Sequence, residues 1–148
     1  GMIVGPGRRI THHFGDWSGI IERPAKGLPY TVGSDPECPC AYIYVKDVVR
    51  SLLDLKRADA SHLRQRMYNV HGFTATLGEV AAAVRRHLPS AQLAFERDPG
   101  GAMRAANRSL AYTMDSTAAA EDFAYVTRYT LDPMVADFIA EVRAGRAG

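Results

Sequence analysis

The amino-acid sequence predicts an α+β domain, and three observations support this class. Its 148 residues amount to one domain, with 47% hydrophobic and 23% charged residues, which are ordinary values for a globular protein. Segments with the hydrophobic period of a helix alternate with short β-branched or aromatic runs that are typical of strands. These strands are too few and too scattered for a self-contained doubly wound sheet, so an α/β fold is not favoured.

The first elements predicted are the end of a strand and a short amphipathic helix. Ile3–Val4 is a β-branched pair that runs directly into a Gly-Pro-Gly turn, which indicates the end of a buried strand. A short amphipathic helix follows and is expected to end at Pro24. Apolar residues recur there at positions i, i+3 and i+7, namely Phe14, Trp17 and Ile21.

Two more strands and a second helix are predicted next. Leu28–Val32 and Ala41–Val45 are apolar and aromatic runs, and residues 34–39 between them have the composition of a turn. Asp47 is expected to cap the helix that follows. The buried side of that helix is predicted to comprise Val48, Val49, Leu52 and Leu55.

The middle of the chain contains a recognisable helix start. Met67–Val70 and Gln92–Phe95 are predicted strands on either side of it. Thr76 and Glu79 have the spacing of a capping box, in which each side chain satisfies a backbone N–H at the helix start. The helix is expected to stop before Pro89. Its predicted buried residues are Leu77, Val80, Val84 and Leu88.

The last third of the chain is predicted to contain a polar loop and two helices. The loop covers residues 98–107, and Ser116 is expected to cap a short helix that reaches Phe123. Asp132 is the predicted N-cap of the final helix, with Pro133 at its first position. An apolar stripe follows at Val135, Phe138, Ile139 and Val142, and residues 143–148 are expected to form a frayed tail.

Composition excludes several classes of function. The net charge of +2 is too small, and the basic residues too scattered, to indicate a nucleic-acid partner. No apolar run approaches the ~20 residues that span a bilayer, and no signal segment is present, so we expect no membrane partner. Cys38 and Cys40 are too close for an unstrained disulfide and lack further zinc ligands. We therefore expect two reduced thiols in a turn, no metal and a cytoplasmic location.

The sequence contains no complete catalytic or cofactor-binding motif. Gly5-Pro6-Gly7 lacks the third glycine and the full preceding strand of a dinucleotide-binding turn. No two histidines have the i, i+4 spacing of a helical zinc motif, and no Gly-x-Ser-x-Gly elbow occurs. Tyr44 and Lys46 are two residues apart, which is not the spacing of a helical Tyr–Lys acid/base pair. No catalytic residue is therefore assigned.

Five segments in order resemble the C-terminal half of the extended short-chain dehydrogenase/reductase (SDR) family, the NAD-dependent epimerase/dehydratases. They are the turn Val4–Arg8, the segment Tyr42–Val48, the strand Tyr68–Gly72, the helix start Thr76–Val80 and the stretch Asp115–Tyr125. Each motif is weak alone, but together they cover essentially the whole chain. Within the family, the resemblance leans towards the epimerase-like L-threonine dehydrogenases.

The resemblance implies two groups of site residues. Substrate contacts are expected from Tyr44 and from His71, which also follows a predicted strand end, where ligand-facing residues often lie. Sugar-nucleotide members of the family have an arginine near positions 40 and 41, where this chain has Cys40 and Ala41. Contacts with NAD, if an upstream half is present, are expected from the turn residues Gly5, Pro6, Gly7 and Arg8.

The resemblance also implies that the two halves of the family's chain have different functions. The family's NAD loop, its catalytic Ser or Thr and its Tyr-x-x-x-Lys pair lie upstream of the turn where this chain begins. Residues 1–148 are thus expected to form a single substrate-binding domain, with 1–9 a remnant of a Rossmann strand and loop. Alone it is expected to bind no cofactor and to be inactive. A full-length relative would use NAD and a small hydroxyl-bearing metabolite.

Two other interpretations of the sequence stay open. The chain is a stand-alone, non-catalytic binding or assembly module from a truncated gene, or its start codon is assigned incorrectly and the cofactor half is encoded just upstream. A stand-alone module and a lone substrate-binding portion share one consequence. In both, strands that would otherwise join a Rossmann sheet leave unpaired edges and apolar faces. We therefore expect a homo-oligomer that covers these surfaces.

Overall fold

A three-stranded sheet forms the centre of the structure. The computed structural model describes residues 2–7, 16–96 and 112–145, and within these ranges the chain forms five strands and five α-helices. The strands are β1 (Met2–Val4), β2 (Tyr30–Val32), β3 (Pro39–Tyr44), β4 (Phe73–Thr76) and β5 (Leu93–Phe95). The helices are α1 (Asp16–Ala25), α2 (Val45–Arg57), α3 (Leu77–His87), α4 (Thr117–Phe123) and α5 (Leu131–Arg143).

The strands form two separate sheets. In the larger sheet the order is β1-β3-β4, with β1 parallel and β4 antiparallel to β3. The smaller sheet pairs β2 with β5 in parallel. This mixture of short strands and helices confirms the predicted α+β class.

Strand β3 separates two hydrophobic cores because successive side chains of a strand point to opposite faces. Tyr42 and Tyr44 are fully buried in the larger core, which is built mainly by α1, α3 and α5. Ile43 points the other way into a smaller core with Phe123 and Tyr125. In the larger core, the ring of Tyr42 packs edge-on against Trp17, with ring centroids 5.3 Å apart.

Helix α3 forms as the sequence predicts. The hydroxyl of Thr76 accepts a hydrogen bond from the Glu79 backbone N–H, and the Glu79 carboxylate accepts one from the Thr76 N–H. The helix ends at His87, before Pro89. The four residues predicted for its inner side are all buried: Leu77, Val80, Val84 and Leu88.

Neither of the two predicted helix caps in the last third of the chain makes a capping hydrogen bond to its helix. Helix α5 begins at Leu131 after Thr130, so Asp132 lies inside the first turn, where its carboxylate instead accepts hydrogen bonds from the Arg86 side chain of α3. At the start of α4, Ser116 occupies the N-cap position but its side chain makes no capping bond. The neighbouring Asp115 accepts from the Thr117 N–H in its place.

The predicted strand at Met67–Val70 is displaced along the chain. A strand must form backbone hydrogen bonds with a neighbouring strand. This part of the chain first does so with β3 at Gly72, whose N–H donates to the Tyr42 carbonyl at 3.2 Å. A Cβ at Gly72 would overlap that carbonyl, so only glycine allows the close approach. Strand β4 therefore begins at Phe73.

Helix α2 buries a different side from the one predicted. Val48 and Leu55 do pack against the smaller core, but Val49 is 51% and Leu52 61% exposed. Asp47 turns inward in their place. Cys40 also differs from expectation, because it lies in β3 rather than in a turn. Cys38 and Cys40 are both fully buried, and neither forms a disulfide.

The two N-cap hydroxyls allow a matched comparison. We expect Thr76→Ala to lower the free energy of unfolding by about 1 kcal/mol, because the Glu79 N–H loses its acceptor. Ser116→Ala should be nearly neutral, because the Ser116 hydroxyl is buried without a hydrogen-bond partner. Urea denaturation of the two variants measures both effects. Equal losses would contradict the assignment of Thr76 as a cap.

Candidate functional site

The candidate site lies at the carboxyl edge of the larger sheet, where β1 and β3 end side by side. Their parallel register places Val4 opposite Tyr44, so the turn after β1 meets the start of α2. A Cβ at Gly5 would come within 2.6 Å of the Val45 side chain, and Gly7 has a φ of 80°, which favours glycine. The described part of the predicted NAD turn, Gly5-Pro6-Gly7, is thus fixed by local packing, and Arg8 lies outside the described residues.

Tyr44 lies at this edge, but its hydroxyl is engaged by α5. The Tyr44 Oη donates to Asp137 at 2.7 Å, and the ring packs edge-on against Tyr129 with centroids 4.8 Å apart. Burial, together with the hydrogen bond to Asp137, raises the pKa of the Tyr44 phenol. The phenol therefore stays protonated at neutral pH, and its proton is directed towards Asp137. A substrate contact from Tyr44 stays a prediction.

Lys46 completes a polar cluster between α2 and α5. Its Nζ lies 2.7 Å from a carboxylate oxygen of Asp137 and 2.8 Å from one of Glu141. Although partial burial acts in the opposite direction, the hydrogen bonds to these two carboxylates raise the pKa of Lys46. The ammonium is therefore charged at neutral pH and links the start of α2 to the last helix.

Contrary to expectation, one Tyr-x-x-x-Lys spacing does occur in the chain, from Tyr42 to Lys46. It crosses a strand–helix boundary. Tyr42 is fully buried in β3 between Trp17 and Phe73, whereas the Lys46 ammonium is held by the carboxylates on α5. An ammonium that lowers a phenol's pKa must lie beside it on one surface, and these two side chains do not have that arrangement.

His71 lies just before β4, which flanks β3 on the side opposite to β1. Its backbone carbonyl accepts hydrogen bonds from the Tyr125 hydroxyl at 2.8 Å and from the Thr127 hydroxyl at 2.7 Å. Its ring Nδ1 is buried and has no hydrogen-bond partner. Burial lowers the pKa of the imidazole, so the ring is neutral at neutral pH. A neutral ring can donate one hydrogen bond and accept another, and a substrate contact from His71 stays a prediction.

Asp47 holds together the segments that surround this edge. It is almost fully buried, and its carboxylate accepts from the backbone N–H groups of Arg128 at 3.2 Å and Tyr129 at 3.0 Å. The Arg50 side chain donates to the other oxygen at 2.8 Å. The sequence predicted that Asp47 caps α2. The backbone N–H groups that its carboxylate binds belong instead to a segment about 80 residues further along the chain.

A second polar cluster attaches the segment 58–72, which contains a short 3-10 helix at Ala60–His62, to α4. Asp122 accepts from the Tyr68 hydroxyl at 2.7 Å and from the Arg64 side chain at 2.6 Å, and Arg64 also pairs with Glu121. These hydrogen bonds, first from Tyr68 and then from Arg64, lower the pKa of Asp122 to about 2. The cluster borders an open cleft of about 500 Å³ between the carboxyl ends of α2 and α4.

Metal-binding clusters and membrane-spanning helices are both absent from the described residues. Within the described ranges, no group of three or more His, Cys, Asp or Glu side chains is arranged to hold a metal ion. None of the helices described above has the length and apolar character needed to cross a membrane.

Comparison with known proteins gives a consistent set of relatives. No family model matches the chain. The mitochondrial L-threonine 3-dehydrogenase of Bos taurus is 28% identical over 80 residues, which is 54% of this chain and 21% of that protein. The Sus scrofa enzyme of the same name is 25% identical over 116 residues, 78% of this chain and 31% of that protein.

Solved structures extend the match to nearly the whole chain. A GalE-like L-threonine dehydrogenase from Cupriavidus necator, in its holo form, superposes with a TM-score of 0.82 at 25% identity, covering 95% of this chain and 45% of that one. The chain is similar to the C-terminal part of the epimerase-like L-threonine dehydrogenases. This confirms the resemblance to the extended SDR family.

The threonine dehydrogenase fold extends to more distant structures. The L-threonine dehydrogenase of Phytophthora infestans superposes with a TM-score of 0.83 at 20% identity and covers 97% of this chain and 46% of that one, which shows a shared fold. In each of these comparisons the chain spans less than half the length of the threonine dehydrogenase that it matches.

The anchoring role of Asp47 predicts a large loss of stability. We expect Asp47→Ala to lower the free energy of unfolding by about 2–3 kcal/mol, because two backbone N–H groups lose a charged acceptor. Asp54→Ala, on the same helix, should change it by less than about 0.5 kcal/mol, because Asp54 makes only a 3.9 Å ion pair with exposed Arg57. Chemical denaturation of both variants tests this difference. Equal losses of unfolding free energy in the two variants would contradict the anchoring role of Asp47.

The lowered pKa of Asp122 predicts sensitivity to acid. The pKa of Asp122 is about 2 in the folded chain, below its ordinary value of 3.8. The ionised carboxylate therefore stabilises the fold above pH 3.8, and this stabilisation is lost as the pH falls through about 2. In Asp122→Asn, the difference in urea midpoint between neutral and acidic pH should be smaller than in the unaltered chain. Tyr68→Phe should shift the acid transition to higher pH. A variant with an unchanged pH dependence would disprove the assignment.

Proposed function

We propose that this chain forms the substrate-binding portion of an NAD-dependent dehydrogenase of the extended SDR family, and that its substrate is a small hydroxyl-bearing amino acid of the L-threonine type. The observation that carries the proposal is the unequal coverage of the two chains in the structural match. Nearly all of the chain, 95%, superposes on a threonine dehydrogenase, of which it covers 45%. The remaining half of such an enzyme would supply the cofactor site.

The substrate class follows from the relatives and from two residues. The three relatives described above with identities of 25% or more are named as threonine dehydrogenases. At positions 40 and 41, where the resemblance places an arginine in sugar-nucleotide enzymes, Cys40 and Ala41 are buried and uncharged. Neither can pair with a diphosphate. This supports a small amino acid over a nucleotide sugar.

We expect no complete cofactor site from these residues alone. The space that a Cβ of Gly5 would fill is taken by Val45 rather than left for a phosphate, and no Gly-x-Gly-x-x-Gly loop is present in the sequence. In a complete enzyme of this class NAD accepts the hydride from the substrate. Contacts of Gly5, Pro6, Gly7 and Arg8 with its nicotinamide end stay predictions, as do a homo-oligomer and a cytoplasmic location.

A chimeric enzyme tests the proposal. The matched part of the Cupriavidus necator enzyme would be replaced by these 148 residues, and NADH formation with L-threonine would be followed by absorbance. We expect turnover by the chimera, and neither turnover nor NAD binding by calorimetry for the 148-residue chain alone. L-Serine and a nucleotide sugar serve as comparison substrates.

Two outcomes would contradict this function. A chimera that folds and binds NAD but oxidises no hydroxy amino acid would favour the non-catalytic binding module. Micromolar NAD binding to the 148 residues alone would show that the cofactor site is not confined to the other half.

A further inference from the structure

We propose that Asp137, on the last helix, is a positioning residue for the turn that follows β1. Its carboxylate holds the first residues of α2 in place, and α2 in turn confines the turn residues Gly5–Gly7. The inference rests on the proposed function, because contacts between this turn and NAD are part of that proposal. It adds a residue that acts without touching the cofactor.

Asp137 binds the two residues on either side of Val45. Its carboxylate accepts a hydrogen bond from the Tyr44 hydroxyl at 2.7 Å. The Lys46 ammonium lies 2.7 Å from the same carboxylate oxygen and 2.9 Å from the other. Hydrogen bonds to an ionised acceptor are stronger than those between neutral groups. Helix α5 therefore fixes the chain immediately before and immediately after Val45.

The surroundings of this cluster limit its movement. Tyr44 is fully buried, and its ring packs edge-on against Tyr129. Lys46 is bound a second time by Glu141, one helical turn further along α5. The side chains of Asp137 and Glu141 are 27% and 18% exposed, so salt screens these ion pairs less than it screens fully exposed ones. The link between α5 and the start of α2 is thus held at several points.

Val45 passes this position on to the turn after β1. A Cβ built on Gly5 would lie 2.6 Å from Cγ1 of Val45 and 3.0 Å from its Cβ, so the valine side chain is in direct contact with the glycine backbone. The parallel register places Val4 opposite Tyr44, so the two strands end at the same level. Gly5 cannot move towards α2 unless Val45 moves with it.

The confined turn lies where a ligand is expected. In open sheets of parallel strands, ligands bind outside the carboxyl ends of the strands. Strands β1 and β3 form a parallel pair, and Gly5–Gly7 directly follows β1. A turn that is already ordered spares the ligand the free energy of ordering it on binding. Asp137 therefore increases ligand affinity through the turn.

Substitution of Asp137 in the chimera tests the effect on the cofactor. In Asp137→Ala, NAD affinity measured by calorimetry without L-threonine should fall about five- to tenfold, because the turn must then be ordered on binding. Lys46→Met breaks the link from the other side and leaves Tyr44 bound to Asp137, so it should weaken NAD binding in the same direction. It also keeps the test decisive if Asp137→Ala does not fold.

Asp132→Ala is the matched control. Asp132 is a carboxylate on the same helix that also binds a cation from another element, since the Arg86 side chain of α3 lies 2.6 Å away. It joins α5 to α3 rather than to α2, so its replacement should leave NAD affinity nearly unchanged. All affinities are measured well below the melting temperature of each variant. An equal loss of affinity in Asp132→Ala and Asp137→Ala would overturn the positioning role, because it would reflect a general loss of stability.

Backbone dynamics of the 148-residue chain separate this inference from the proposed function. The NMR order parameters of Gly5 and Gly7 should fall in Asp137→Ala and stay unchanged in Asp132→Ala. Unchanged order parameters in Asp137→Ala would overturn the inference, as would a loosened turn with unaltered NAD affinity in the chimera. A chimera that binds no NAD in any variant contradicts the proposed function, and the order parameters then still decide whether Asp137 positions the turn.

Discussion

The buried carboxylate of Asp47 determines how the two ends of this fold meet. A buried charge is tolerated only when it is paired and hydrogen-bonded, and Asp47 meets this condition through Arg50 and the backbone of residues 128–129. It thereby fixes the chain between α4 and α5. Helix α5 then reaches the β3–α2 junction, where Asp137 binds both Tyr44 and Lys46.

The same carboxylate sets the rotation of α2. An amphipathic helix normally turns its widest apolar stripe inward. Here Asp47 and Ser51 occupy the inner side, and leucines and a valine face outward as a result. The exposed apolar stripe on α2 is therefore a consequence of anchoring the C-terminal segment.

The elements that the sequence predicted well are those whose signals are local. The capping box at Thr76 and the apolar periods of α3 and α5 involve residues within a few positions of each other, and all were confirmed. Two of the errors occurred where distant residues decide. Asp47 binds N–H groups about 80 positions away, and β4 begins where Gly72 meets the backbone of β3. No local pattern contains that information.

The predicted site residues illustrate the same limit. The rule that ligand-facing groups lie at the carboxyl ends of strands drew attention to the Gly5–Gly7 turn and Tyr44, and the structure does bring these together. It cannot tell a ligand-facing group from a structural one at the same edge. The Tyr44 proton points to Asp137, and the His71 carbonyl holds Tyr125 and Thr127. Of the buried side-chain polar atoms of these two residues, the ring Nδ1 of His71 has no hydrogen-bond partner within the described part of the chain, whereas the Tyr44 hydroxyl is bonded to Asp137.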